Sequence, residues 1–145
     1  SPQALFQDRR VAFSAPPMYW GGFLDMAAEV GVEVVHLSAN AGPATHTEDL
    51  AAEFGALPPA RLPYHFDAVA REVEAIHRAR AVDLAIGDTR YCERLSWVTG
   101  VMEFGFPSHF DHALYPRPTL GFEGWTCTLD RIAHALAAGR WSRPR

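Results

Sequence analysis

The sequence predicts an α/β fold: a three-layer sandwich in which a parallel sheet of four or five strands carries helices on both faces. Three observations predict it. Short apolar runs of strand length alternate along the chain with longer stretches whose apolar residues recur every three or four positions. The run Val32 to Leu37 is nearly continuous in Val and Leu, as strands covered on both faces tend to be. The length of 145 residues, with 48% hydrophobic and 21% charged residues, is that of one globular domain. A chain of this size buries roughly 70% of its unfolded surface.

The elements follow in order. Residues 1–9 are polar without a clear period and are expected as linker or disordered chain, 10–139 as a single domain, and 140–145 as a polar tail. Arg10 to Ser14 reads as a first buried strand, stopped by Pro16 and Pro17. Trp20 to Val30 has apolar residues at helical spacing and Gly31 as its C-terminal stop. With the strand at Val32 this makes one βαβ unit, whose crossover should be right-handed. Thr47, followed by Glu48 and Asp49, predicts the N-cap of a helix running to about Phe54. A proline-rich connection follows, with a minor strand near Arg61 to Tyr64.

A stronger helix is predicted from Phe66 to Ala81, where Val69, Val73 and Ile76 recur at intervals of three and four. It leads into a strand over Val82 to Ile86. Arg90 to Trp97 reads as a short amphipathic helix or turn anchored by Leu95 and Trp97, and Val101 to Phe106 as the next strand. The last helix is predicted from about Gly121 to Ala138, with Leu129, Ile132, Ala133, Leu136 and Ala137 on one face.

Composition excludes several functions. The formal charge of -4 offers no basic field for nucleic acid or an anionic membrane surface. No apolar run approaches the length of about 18 residues that a membrane span needs, and no signal-peptide core is present. Two cysteines, Cys92 and Cys127, are too few for a disulfide framework and match no zinc spacing, so the cytoplasm is the expected compartment. After the first strand a dinucleotide fold wants Gly-x-Gly-x-x-Gly, where backbone amides can approach a pyrophosphate. The chain offers Ala15-Pro16-Pro17-Met18-Tyr19-Trp20-Gly21-Gly22, with two prolines that donate no amide hydrogen. No lysine occurs anywhere, which excludes a P-loop ATPase.

The stretch from Asp83 to Gly124 is the place to seek function, because ligands of open α/β sheets sit outside the carboxyl ends of the strands. The strand ending at Phe106 opens into a loop rich in histidine, proline and aromatic residues. His109, Asp111 and His112 share it. Imidazole and carboxylate together suit zinc, iron or nickel, or proton donation tuned by a neighbouring charge, but two intervening residues and no third ligand make a poor metal spacing. Loop-fixing hydrogen bonds and subunit contact are the plainer roles. His36 reads as a strand-end core histidine, His77 and His134 as solvated, and His46 and His65 as turn-closing residues.

Tyr19, Trp20, Phe106, Phe110 and Tyr115 line a crevice or interface in this reading, or pack the core under the loop. Asp88 and Arg90 at the neighbouring strand end are placed to orient polar partners in the same crevice. Cys92, in the loop after Ile86, could approach a ligand there, although free cysteines are more often small buried hydrophobes.

The ordered set Asp83 to Gly87, Gly105 to Pro107, Asp111 to Leu114 and Leu120 to Gly124 resembles the last Rossmann-like domain of nitrogenase component 1-type oxidoreductases. That family includes the nitrogenase molybdenum-iron protein subunits, their cofactor-assembly scaffold relatives and the dark-operative protochlorophyllide reductases. The β-type subunit is the most similar, and weaker likeness extends back to Arg10. The resemblance implies a fragment of a larger subunit, whose cluster cysteines come from an N-terminal domain outside this sequence. It implies no cofactor in this domain, with an iron-sulfur cluster, and in some branches a molybdenum-iron type cofactor or a tetrapyrrole, in the full complex. The implied partners are the other component 1 subunits and an ATP-dependent iron-protein reductase. The domain by itself would be inactive.

In the α-type nitrogenase subunit a Pro-x-His-x-Phe-Asp loop supplies a histidine ligand to the cofactor. Pro107 to Asp111 echoes that loop but lacks the residue between His109 and Phe110. His109, Asp111 and His112 are therefore expected to face a cofactor without ligating metal. A non-catalytic metal- or tetrapyrrole-binding scaffold module is the alternative.

Overall fold

The computed structural model describes residues 3–39, 60–61, 66–104 and 121–142. Its centre is a five-stranded sheet: β1 (Arg10–Ser14), β2 (Glu33–Ser38), β3 (Ala60–Arg61), β4 (Leu84–Gly87) and β5 (Gly100–Glu103), in the order β3-β2-β1-β4-β5. Every pairing is parallel. The strand order reverses between β1 and β4, which is the Rossmann-like arrangement the sequence predicts. The expected helix near 47–54 lies outside the described residues.

Among the described residues, two helices cover each face. On one, α2 (Trp20–Val30) and α5 (Gly121–Ser142) pack against Val11, Phe13, Leu37, Leu84, Ile86 and Met102. On the other, α3 (Phe66–Ala79) and α4 (Thr89–Leu95) cover Ala12 and Ala85 with Val69, Val73, Tyr91 and Leu95. Successive strand residues alternate between these two cores, as the pleat requires. Full burial of each Val, Leu or Phe in them contributes on the order of 1.5–3 kcal/mol.

One irregularity matters later. The β1–β2 register slips between Val11 and Ala12, so that Val11 pairs with Val34 but Ala12 with His36. Val35 is the extra residue of a β-bulge, which turns His36 and Ser38 to the α3/α4 side.

Local chemistry sets the element ends. Gly31, at φ 80°, closes α2 in the left-handed region, with Val32 N donating to Ala27 O at 2.8 Å and Gly31 N to Ala28 O at 3.3 Å. This is a Schellman termination, and it places β2 within two residues of the helix end. At the amino edge of the sheet, the Asp83 carboxylate accepts from Arg10 N at 3.0 Å and from Arg9 Nη1 at 3.4 Å, while Arg10 Nε donates to Glu33 at 3.1 Å. These contacts tie the starts of β1, β2 and β4 together.

The structure differs from the sequence expectations at three places. Residues 1–9 are not plain linker: α1 (Gln3–Phe6) is helical and Phe6 enters the α2/α5 core. The last helix runs on to Ser142, through the expected tail boundary. Trp97 is not an anchor: α4 ends at Leu95, and Trp97 stands 94% exposed in the turn beyond it. Leu95, with Val98 in the turn beyond it, supplies the apolar contact there.

Candidate functional site

The site is built on the carboxyl edge of the sheet, where Ala15, Ala39, Asp88 and Phe104 follow their strands. A file of aromatic rings leads to it from the core. Phe13 on β1 stacks on Phe23 of α2, centroids 3.8 Å apart and planes 10° from parallel. Phe13 also meets Phe104 at 5.5 Å, and Phe104 meets Tyr19 edge-on at 5.3 Å and 89°. Each such pair contributes about 0.5–1.5 kcal/mol beyond area burial, so the position of Tyr19 is set from inside.

Beyond Tyr19 lies an apolar cavity of about 130 Å³, bounded by Met18, Tyr19, Phe23, Met26, Phe104 and Trp125, with Gly22 and Gly124 in its walls. Its floor is β5's last contact and its sides are the first turns of α2 and α5. Trp125 Nε1 reaches Gly22 O at 3.4 Å and bridges the two helices. Outside the cavity Met18 is 75% and Phe122 82% exposed, so the apolar lining continues onto the surface. Exposed apolar side chains gathered around a concavity mark a contact site.

The residues singled out from sequence separate. Tyr19 lines the cavity. Trp20 does not: it is fully buried and its Nε1 donates to Ala15 O at 3.0 Å, because α2 begins there and turns the indole inward. Asp88 is buried as the N-cap of α4, accepting from Tyr91 N at 2.9 Å, and Arg90 is exposed on that helix. Phe106, His109, Phe110, Asp111, His112 and Tyr115 lie outside the described residues.

Cys92 is a core residue of α4 and not a loop ligand. Its Sγ lies 3.3 Å from Met102 O and 3.5 Å from Gly87 O, spanning the ends of β4 and β5. Burial, with some help from the nearby Glu103 and Asp88 carboxylates, pushes the thiol up to about 12 against the two carbonyl contacts. Cys92 is thus packed between two strand ends as a small buried side chain. Among the described residues no group of three or more His, Cys, Asp or Glu side chains could hold a metal ion. The described residues by themselves thus do not make up a cluster site.

Sequence reasoning missed the cavity and two polar pairings. His36 Nε2 lies 2.9 Å from Glu72 across the β2–α3 interface. His77 is half-buried, and its Nδ1 accepts from Val82 N at 3.1 Å and closes the chain after α3. A carboxylate on the inner side of α3 was the available signal for the first. Glycines in the first turn of each of two helices were the signal for the cavity.

The loop after β1 does not form a glycine-rich phosphate-binding turn. Pro17 to Tyr19 form a 3₁₀ turn, no side chain caps α2, and Trp20 occupies the space beneath. The fold and its edge therefore define an α/β, Rossmann-like domain with an apolar, aromatic-lined cavity at the described part of its carboxyl edge. The chain belongs to the nitrogenase component 1-type oxidoreductases, whose family model it matches over residues 3–137. Among solved structures it is similar to one described as nitrogenase Cp1 at pH 6.5, with a TM-score of 0.74 and 17% identity. That likeness covers 99% of this chain and 31% of the other, so the chain spans about a third of that relative. No curated protein matches it in sequence. Among the described residues no helix is long and apolar enough to cross a membrane.

Proposed function

We propose that this chain is the carboxyl-terminal domain of a component 1 subunit of the β type, working in the cytoplasm within an ATP-dependent iron-sulfur reductase system. In that role the carboxyl edge of its sheet meets the other subunits and forms one wall of the cavity for cofactor or substrate. The observation that carries this reading is the family match over nearly the whole chain, joined to the 31% share of the nitrogenase relative that the chain spans.

The surface chemistry supports it. Met18 and Phe122 expose large apolar side chains beside the aromatic cavity, and apolar and aromatic residues are what the buried centres of subunit interfaces are made of. Electrons would come from an iron-protein partner and pass through a cluster held by residues other than those described. His109, Asp111 and His112 would face the cofactor and position or protonate what is bound. The domain itself contributes shape and contact, and is inactive by itself.

The test is to purify the subunit with its partner subunit and measure iron and acid-labile sulfide in the pair and in this chain alone. Iron and sulfide in the pair, with none retained by this chain, is the expected result. Metal held by this chain alone and lost on His109→Ala with His112→Ala would favour a metal-binding scaffold module and overturn the reading.

A further inference from the structure

On the sheet face opposite the cavity, a buried polar cluster takes no part in the role just described. Ser14 and Ser38 end β1 and β2 and stand opposite each other in register. Both are fully buried, and neither hydroxyl has a hydrogen-bond partner among the described residues. A buried hydroxyl without a partner costs about 1–3 kcal/mol. Two such hydroxyls side by side call for a compensating partner.

Their surroundings are polar. The bulge at Val35 brings His36 to the same face as Ser38, where its Nε2 meets Glu72 at 2.9 Å. Residues two apart on one strand are separated by about 6.6 Å, a gap of the size that one water molecule bridges. Ser14 lies next to Gly87, whose missing side chain leaves room for the buried Tyr91 ring to cover the strand ends. Small side chains thus line the sheet at the one point where an imidazole, a phenol and two hydroxyls gather.

We propose that Ser14 and Ser38 hold a buried water molecule at the carboxyl ends of β1 and β2, in an internal polar site walled by His36 and Tyr91. Each hydroxyl can donate one hydrogen bond and accept others, and the two together meet the minimum of two polar partners that an internal water needs. The site takes water or a neutral hydrogen-bonding guest of its size. An ion would meet no counter-charge on the two serines, whose hydroxyls are neutral.

The experiment combines a high-resolution crystal structure of the full chain with Ser14→Ala and Ser38→Ala, separately and together. Ordered density within hydrogen-bonding distance of both hydroxyls is expected. Each alanine should lower the folding equilibrium constant about five-fold, the effect of losing one satisfied buried hydrogen bond. A site without density would overturn the proposal, and so would alanine variants that fold as well as or better than the parent, because removing an unpartnered hydroxyl relieves a cost. The single variants report even where the double variant does not fold.

Discussion

Gly87 and Tyr91 are shaped to each other: a methyl group on Gly87 would lie 2.5 Å from Cδ1 of Tyr91 and 3.2 Å from Cβ of Ser14. The last residue of β4 therefore has no side chain so that the first turn of α4 can lay its tyrosine flat on the sheet. Gly87→Ala should destabilise the fold by about 1–3 kcal/mol, the usual cost of overpacking, read as a shift in the urea midpoint. Tyr91→Leu in the same chain should recover part of that loss, because the collision is with the ring. A Gly87→Ala variant as stable as the parent would show that the ring is not held there.

Asp88 offers a second test on the same turn. Its carboxylate caps α4 at Tyr91 N, and the residue is only 6% exposed, so water cannot replace it freely. Asp88→Ala should cost about 1–2 kcal/mol in chemical denaturation, whereas Asp88→Asn, which keeps the accepting oxygen, should cost much less. Equal losses in the two variants would mean that charge matters more than the cap.

Cys92 predicts a pH dependence. Its thiol is raised from an ordinary 9.0 to about 12 in the fold. Between those values the unfolded chain has lost the proton and the native chain keeps it. Stability is therefore fully present below pH 9.0 and falls as pH rises toward about 12, at roughly 1.4 kcal/mol per pH unit. The difference between the parent and Cys92→Ala, measured by denaturation from pH 8 to 11, should carry that slope. The native thiol should also resist alkylation at pH 8, and rapid modification of the folded chain would contradict its placement.

Gly22 tests the cavity. A Cβ at this position would meet no atom within 4 Å, and the glycine sits in the first turn of α2. Gly22→Ala should leave the chain at least as stable as the parent, gaining up to about 0.5 kcal/mol by thermal denaturation, since alanine suits a helix better. Gly22→Phe should fill the space between Tyr19 and Trp125 and weaken association with the partner subunit by about ten-fold in titration, a loss of roughly 1.4 kcal/mol. Unchanged association would place the contact elsewhere on the chain.

Much of the fold was legible in the order of residues. The β1 strand, α2 with its glycine stop, and the starts of α3 and α5 fall where apolar spacing puts them, because period and capping are properties of neighbours in sequence. The site was less legible. The sequence marks Trp20 as a crevice or interface ring and Trp97 as an apolar anchor, yet the first is fully buried and the second 94% exposed. What separates them is the packing of α2 on β1 and the early end of α4, both made by residues distant in sequence.

By itself the sequence determined the alternation of strand and helix, the want of a phosphate-binding turn and the membership of the component 1 family. Only the tertiary structure decided that β1 sits between β2 and β4, that a one-residue bulge turns His36 toward Glu72, and that Tyr19, Phe104 and Trp125 close around one cavity. The reason is physical. Hydrophobic period says that a residue is buried, but the face it occupies and the partner it meets depend on strand register, and register exists only once remote segments have paired.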